Sequence, residues 1–546
     1  MSRGGDAILG RVMLAFEGEV LPARLAERLA AQPTAGMSLF RFLNVRSPGQ
    51  VLELTSAFQR AGAAAPHAAP AEPSGSSPML VAADQEGGQL IGLGGGSTPF
   101  AGNMALGAVD DAGLTERVGH AIGTEARAMG VNVVYAPVLD LATDPANPAL
   151  GIRSFGDSPA TVGSHGAAMV RGIQGAGVAA TVKHAPGMGH ISSDTHHGLA
   201  VASAGRSVLE DREFVPFRAA FEAGARLAMS GHVALRAITG RDDLPGTLSR
   251  AVMTDLLRRD LGFEGVTISD ALDMRALAQG PGQVLDVLAA VRAGVDLLLA
   301  SADSEALARI EETLVRAVDR ELLDPAEVAA TERRVAALRA WLGSVGPAPD
   351  LSVVGSAEHQ TLAGELAARS ITLVRDPGGL LPLHGGSGPI LAVMPRPADL
   401  TPADTSSTVA PGLAVSLRRH FRDVDEIVVE QSPDGASIAA VHDRAVGAGA
   451  VVIGTIDGHR QPAQIELVEA LAGTGTPVVA VALRGPWDVA AYPPSVTALA
   501  TYSILPASLD ALAAVLAGET EAPGRLPVAM GPKLEATGLR AGAPSR

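Results

Sequence analysis

The sequence predicts an α/β protein in two parts, an N-terminal (β/α)8 TIM barrel over residues 1–345 and, after a linker at 346–351, an open α/β sandwich domain over 352–546. Short apolar runs alternate with longer helical patterns through the first part, which is the pattern of βα units on a parallel sheet. Several of those runs end in a charged or imidazole residue, where a barrel places its active site. After Gly346-Pro347-Ala348-Pro349 the alternation restarts.

Taken in order, the apolar runs of the first part lie at 79–83, 131–136, 179–183, 227–231, 265–269 and 295–300. Helical patterns lie between them at 116–129, 159–176, 209–223, 250–261 and 282–293, and a long one at 304–342 closes the part. Residues 61–77, rich in Ala, Pro, Gly and Ser, read as a surface loop. The second part has strand candidates at 371–375, 390–394, 426–429, 450–456, 478–483 and 499–502.

At 546 residues the chain exceeds one ordinary domain, and its 47% hydrophobic content builds a large core easily. A formal charge of -16 argues against general attraction to nucleic acid or an anionic membrane. There is no cysteine, which excludes disulfides and thiolate chemistry and fits a reducing compartment. The first residues lead into an amphipathic stretch with Arg11, Glu17 and Glu19 instead of the apolar run of a signal peptide, and no apolar run reaches membrane-spanning length. A cytoplasmic location is expected.

Residues 183–197 say most about chemistry. They hold Lys183, His184, His190, Asp194, His196 and His197, with Pro186, Gly187 and Gly189 between. Gly and Pro make this a loop, and loops on rigid scaffolds carry function. In an extended loop Asp194 can hold His196 in one tautomer and raise its basicity. Such a pair moves protons and needs a nucleophile. Asp270, ending the run at 265–269, is the candidate, although a carboxylate there also suits a helix N-cap. Asp273 reads as a first-turn helix charge.

Asp84 ends the run at 79–83 and precedes Gly87-Gly88, which permit close backbone approach to a ligand or a turn. His232 ends the run at 227–231. Together these strand ends form a constellation. Gly92-Leu93-Gly94-Gly95-Gly96 lacks the ending of a phosphate loop and reads as a flexible loop. His184, His190, Asp194, His196 and His197 are also metal-ligand types. The set comes mostly from one loop, starts with a Lys and has neither H-x-H nor H-E-x-x-H spacing, so no metal and no organic cofactor is expected.

Asp84-Gln85-Glu86-Gly87-Gly88, Ala136-Pro137-Val138-Leu139-Asp140, Arg153-Ser154-Phe155-Gly156, Lys183-His184 with Asp194-Thr195-His196, Ser230-Gly231-His232, Leu248-Ser249-Arg250 and Ser269-Asp270 occur in order, with Gly524-Arg525-Leu526-Pro527-Val528 near the end. On these motifs the chain resembles glycoside hydrolase family 3, and most of all its two-domain β-N-acetylglucosaminidase-type branch. The resemblance implies a retaining, exo-acting mechanism. Asp270 attacks the anomeric carbon, and His196, oriented by Asp194, protonates the leaving oxygen and later deprotonates the acceptor. Asp84, Arg153, Lys183 and His184 match positions that grip the terminal sugar, with His232 and Met274 also on the substrate. A carboxylate nucleophile with a mobile acid/base splits one hard step into two, as the residues themselves suggest.

The branch usually has Phe, His and Arg where this chain has Ala185, Met188 and Gln89, so a β-glucoside stands beside a β-N-acetylglucosaminide as donor. A Glu acid/base, once deprotonated, would repel a phosphate acceptor by roughly 4 kcal/mol at about 4 Å and an effective dielectric near 20. A neutral imidazole does not, and family members of this type are implied to include phosphorylases. The leading expectation is therefore a β-glucoside phosphorylase with inorganic phosphate as co-substrate. The alternatives are hydrolysis, as a β-N-acetylglucosaminidase or β-glucosidase, and, from other classes, a metal-dependent barrel hydrolase or a catalytically silent sugar-binding protein. The partner is a small β-glycoside or oligosaccharide; no nucleic acid, membrane or protein partner is implied.

Overall fold

The computed structural model describes residues 3–64, 77–191, 193–384 and 388–531. Eight parallel strands follow one another round the first sheet: β1 Val12–Leu14, β2 Gly36–Leu39, β3 Leu80–Ala83, β4 Val133–Val134, β5 Ala179–Ala185, β6 Leu227–Ser230, β7 Val266–Ser269 and β8 Leu298–Leu299. β1 pairs with β8 through Val12 and Leu298, and a parallel bridge between Ile268 and Leu297 brings β7 to β8 and closes the ring. Helices such as Pro48–Ala63, Ala112–Ala128 and Pro159–Gly175 pack outside it. The strands are buried on both faces, so they read as continuous apolar runs without alternation.

Leu80, Val133, Ala179, Leu227 and Val266, at the N-terminal ends of their strands, share one apolar cluster with Val335, Leu338 and Leu342. The last three belong to the helix Pro325–Ser344, which thereby covers that end of the barrel and leaves the opposite end for chemistry.

β1 and β2 were not among the sequence candidates. They are three and four residues long, and Gly36-Met37-Ser38-Leu39 has neither β-branched residues nor a period. The helical pattern at 304–342 is two helices, Ser304–Asp319 and Pro325–Ser344. Glu321 adopts a left-handed conformation between them, and Asp324 accepts from the Ala326 amide with Pro325 in the first turn, so a second helix starts here. Of residues 61–77, Ala61, Gly62 and Ala63 finish the helix Pro48–Ala63, while 65–76 lie outside the described residues.

The second sheet has strands β9 Thr372–Arg375, β10 Ile390–Pro395, β11 Val424–Val429, β12 Ala450–Thr455, β13 Val478–Ala482 and β14 Thr497–Ala500, in the spatial order β9-β14-β13-β12-β10-β11. All neighbours are parallel except β9 with β14. The two parts are in direct contact. His359, in the helix Ala357–Ser370, lies 2.8 Å from Glu125 of the barrel helix Ala112–Ala128, and Arg369 lies 2.8 Å from Asp111 at that helix's N-cap.

Candidate active site

A cavity of about 430 Å³ opens at the C-terminal ends of the barrel strands. Asp84, Arg153, Lys183, His184, His196, Asp270 and Met274 all line it. These were seven of the nine expected site residues. Asp194 stands behind His196. His232, also expected on the substrate, does not line the cavity. It is fully buried, with Nδ1 2.8 Å from Thr247 Oγ1 and Nε2 3.2 Å from the Ala271 carbonyl oxygen, so both ring nitrogens are used within the protein. Burial lowers its pKa despite the opposing pull of Asp270.

Asp270 directly follows β7, and its Oδ1 accepts from the Ala271 amide at 2.8 Å. It caps no helix, since the next helical turn begins only at Gly280. Burial works against its charge, but His184, His232, His196 and the Ala271 amide outweigh it and hold the carboxyl below the ordinary carboxylate range. Asp273 sits in a turn, not a helix, and lines the cavity; burial and Asp270 push its carboxyl upward.

The loop after β5 presents Asp194 and His196. Asp194 Oδ1 lies 2.6 Å from His196 Nδ1 and 2.9 Å from the His196 backbone nitrogen. One carboxylate oxygen thus fixes both the ring and the peptide, and Nε2 is left for the cavity. Burial opposes the Asp194 charge, yet the bonds from His196 hold its carboxyl below the ordinary value.

Asp84, Arg153 and Lys183 of the lining belong to a buried ion cluster. Arg153 forks onto Glu86 with two 2.9 Å bonds, and Lys183 Nζ lies 2.5 Å from Asp84 and 2.7 Å from Glu86. Two cations and two anions balance here, which is how charges survive burial. Burial alone would raise the Glu86 carboxyl, but Arg153 and Lys183 bring it down to about 2. Burial would neutralise Lys183, but Asp84 and Glu86 keep it a cation. β5 carries a register irregularity between Val182 and Ala185, where Lys183 and His184 sit. Asp140 Oδ2 lies 2.7 Å from His184 Nδ1, and its other oxygen accepts from the Met188 amide at 2.8 Å. Asp140 therefore fixes the His184 tautomer and leaves Nε2 facing Arg153 at 3.4 Å.

Glu86 and Asp140 were not expected site residues, although both lie inside the quoted motifs. Residues 402–405 of the second domain also line the cavity, and nothing in the sequence connects them to it. Gly87 and Gly88 approach the backbone of Phe100–Gly102, not the cavity; the Gly88 amide donates to the Phe100 carbonyl oxygen at 2.8 Å. The glycine run at 92–96 is a close-packed surface: a Cβ on Gly94 would fall 2.4 Å from the Arg41 guanidinium. Among the described residues, no group of three or more His, Asp or Glu is arranged to hold a metal ion, and no helix is long and apolar enough to cross a membrane.

Residues 41–338 match the model of the glycosyl hydrolase family 3 N-terminal domain, more than half of the chain. The chain belongs to glycosyl hydrolase family 3. It is accordingly a glycosidase, on the barrel-plus-sandwich scaffold of family 3 structures. Beta-hexosaminidase A of Pseudoalteromonas piscicida is 29% identical over 563 aligned residues, covering 93% of this chain and 91% of that protein. The structure of a family 3 β-N-acetylglucosaminidase from Paenibacillus sp. str. FPU-7 matches 97% of this chain and 99% of its own, with a TM-score of 0.89 at 32% identity. The structure of beta-glucoside phosphorylase BglX is similar in fold, covering 97% of this chain and 94% of its own at a TM-score of 0.79 and 21% identity.

Proposed function

We propose that this family 3 enzyme removes terminal β-N-acetylglucosamine by hydrolysis through a covalent glycosyl-enzyme. The observation that carries the reading is that Asp270 and the Asp194-backed His196 line one cavity with Asp84, Lys183 and Arg153, the last two paired to buried Glu86. Asp270, kept ionised, attacks the anomeric carbon as the bond to the leaving oxygen breaks; that oxygen takes the proton from His196 Nε2. His196 then takes a proton from water, which attacks the same carbon and releases Asp270. Asp194 stays ionised and supports the imidazolium between the steps. Asp84, Lys183 and Arg153 present charged groups to sugar hydroxyls, where hydrogen bonds are strong.

Hydrolysis has better support than the phosphorolysis expected from the sequence. The relatives similar over nearly the whole chain are named beta-hexosaminidase and β-N-acetylglucosaminidase, whereas the phosphorylase is alike in fold alone. A neutral His196 would still admit a phosphate acceptor. The deciding experiment is turnover of 4-nitrophenyl N-acetyl-β-glucosaminide and its glucoside, each with and without phosphate. The expected result is free N-acetylglucosamine at a phosphate-independent rate. A phosphate-dependent rate yielding a β-configured sugar 1-phosphate would replace hydrolysis by phosphorolysis.

A further inference from the structure

Glu213 is a buried carboxyl that the mechanism above does not use. It ends the helical turn Leu209–Glu213, which leads into the helix Phe214–Glu222, and it is 1% exposed. His190 Nε2 lies 3.3 Å from Glu213 Oε1. Among the described residues neither atom is hydrogen-bonded elsewhere, and the second carboxyl oxygen, Oε2, has no partner either. The start of the loop after β5, residues Gly187 to His190, closes over this pair. A Cβ on Gly189 would fall 2.9 Å from both carboxyl oxygens and 2.6 Å from the Leu141 carbonyl oxygen, so the loop backbone lies directly on the carboxyl.

A buried carboxylate without a bonded cation is costly, and such a group takes up a proton instead. The charges around it decide the same way. From the loop after β4, Asp140 adds a second anion, already engaged with His184 and the Met188 amide. Arg212, in the same turn as Glu213, opposes this, but its guanidinium donates to the Asp157 carbonyl oxygen at 2.9 Å. The Gly189 amide opposes it too, and the carboxyl still stands at about 8. On the loop side, burial and Arg212 lower His190 while Asp144 pulls weakly upward. The pair is therefore neutral, with the Glu213 hydroxyl donating to His190 Nε2. Because the folded-state value of Glu213 is the raised one, this bond is complete in acid and is lost as pH rises through about 8.

The segment that this bond holds touches the site at two points. Met188 lines the cavity; its amide donates to Asp140 Oδ1 at 2.8 Å, and its carbonyl oxygen accepts from Asn147 at 3.1 Å. Asp140 in turn orients His184, which also lines the cavity. An ionised Glu213 would repel Asp140 and lie unpaired under Gly187 and Gly189. We propose that Glu213 is a positioning residue whose carboxylic acid, bonded to His190, fastens the base of the catalytic loop and with it Met188 and the Asp140–His184 pair. Its effect on turnover rests on the hydrolase reading above; its hold on the loop does not.

The test compares wild-type, E213Q and E213L enzymes across the alkaline range by two readouts. One is kcat/KM for 2,4-dinitrophenyl N-acetyl-β-glucosaminide, whose leaving group needs no proton, so that His196 as acid drops out of the limb. The other is amide hydrogen exchange of residues 187–190, corrected for the intrinsic effect of pH. The Gln amide donates to Nε2 at every pH. The ratio of E213Q to wild type in kcat/KM is therefore expected to rise about tenfold between pH 7 and 9, while wild type alone loses exchange protection. E213L has no donor and should resemble alkaline wild type throughout; if it fails to fold, the E213Q comparison decides. The same pH dependence in wild type and E213Q overturns the inference, and so does a change in exchange with no change in kcat/KM of an active enzyme. A wild type inert towards the glycoside, whose exchange nevertheless responds as expected, overturns the hydrolase reading and leaves the hold on the loop standing.

Discussion

Asp194 Oδ1 accepts from both the ring Nδ1 and the backbone nitrogen of His196, at 2.6 and 2.9 Å. A single oxygen thus sets the tautomer of the imidazole and the conformation of the loop that carries it. Asp194→Asn should keep the loop but withdraw the anion from the imidazolium. A loss of about 10- to 100-fold is expected on substrates with poor leaving groups and a much smaller one on activated aryl glycosides. An unchanged rate on both would detach Asp194 from proton transfer.

His196→Ala should discriminate between leaving groups. Natural-type glycosides need the departing oxygen protonated and should slow by about 10²–10⁴-fold, while activated aryl glycosides lose far less in the first step. The measurement is a series of aryl N-acetyl-β-glucosaminides of graded leaving-group acidity. A slope no steeper than that of wild type would show that His196 is not the acid.

Asp270→Ala should reduce turnover by on the order of 10⁴-fold or more with the fold retained, because the step that forms the covalent intermediate has no substitute nucleophile. Circular dichroism and thermal unfolding check the fold. Full activity in a folded variant would remove Asp270 from the mechanism.

Glu86→Gln should break the buried cluster of Asp84, Glu86, Arg153 and Lys183. It leaves Arg153 and Lys183 with Asp84 alone, and losing one partner of a buried ion pair costs about 3–5 kcal/mol. The Glu86 carboxyl is held down at about 2, so its stabilisation is present above the ordinary carboxylate value and is lost as pH falls towards 2. The stability gap between wild type and variant, read by urea unfolding, should therefore narrow in acid.

Glu213 should behave in the opposite sense. It is buried beneath the catalytic loop, where a Cβ on Gly187 or Gly189 would come 2.9 Å from its oxygens. Burial first, and Asp140 second, push its carboxyl up to about 8 from 4.5. Because the folded value is the higher one, its contribution is fully present below pH 4.5 and is lost as pH rises towards 8. Glu213→Gln should thus equal wild type in acid and exceed it by up to about 3 kcal/mol at pH 7. Melting temperatures from pH 4.5 to 8 that run parallel in the two proteins would refute the assignment.

Much of this protein is legible in its sequence because the relevant signals are local. A barrel strand buried on both faces shows as an apolar run, and the residue after it, such as Asp84 or Asp270, shows as a polar stop. Asp194 and His196 are two residues apart, so their pairing needs only a loop. β1 and β2 escape because three or four residues carry no period, and the break at Glu321 escapes because helical composition continues on both sides of it.

What the tertiary structure alone decides are the pairings between distant residues and the direction each side chain takes. His232 ends its strand as Asp270 does, yet its ring is spent on Thr247 and the Ala271 carbonyl and does not reach the cavity. Glu86 is two residues from Asp84, but its partnership with Arg153 and Lys183 exists only once three strand ends converge. The contact of Arg484 with Gln89 joins positions 395 residues apart. Local patterning fixes which residues stop a strand; only the closed barrel and the docked second domain, by bringing low-dielectric surfaces together, fix which charges must find each other.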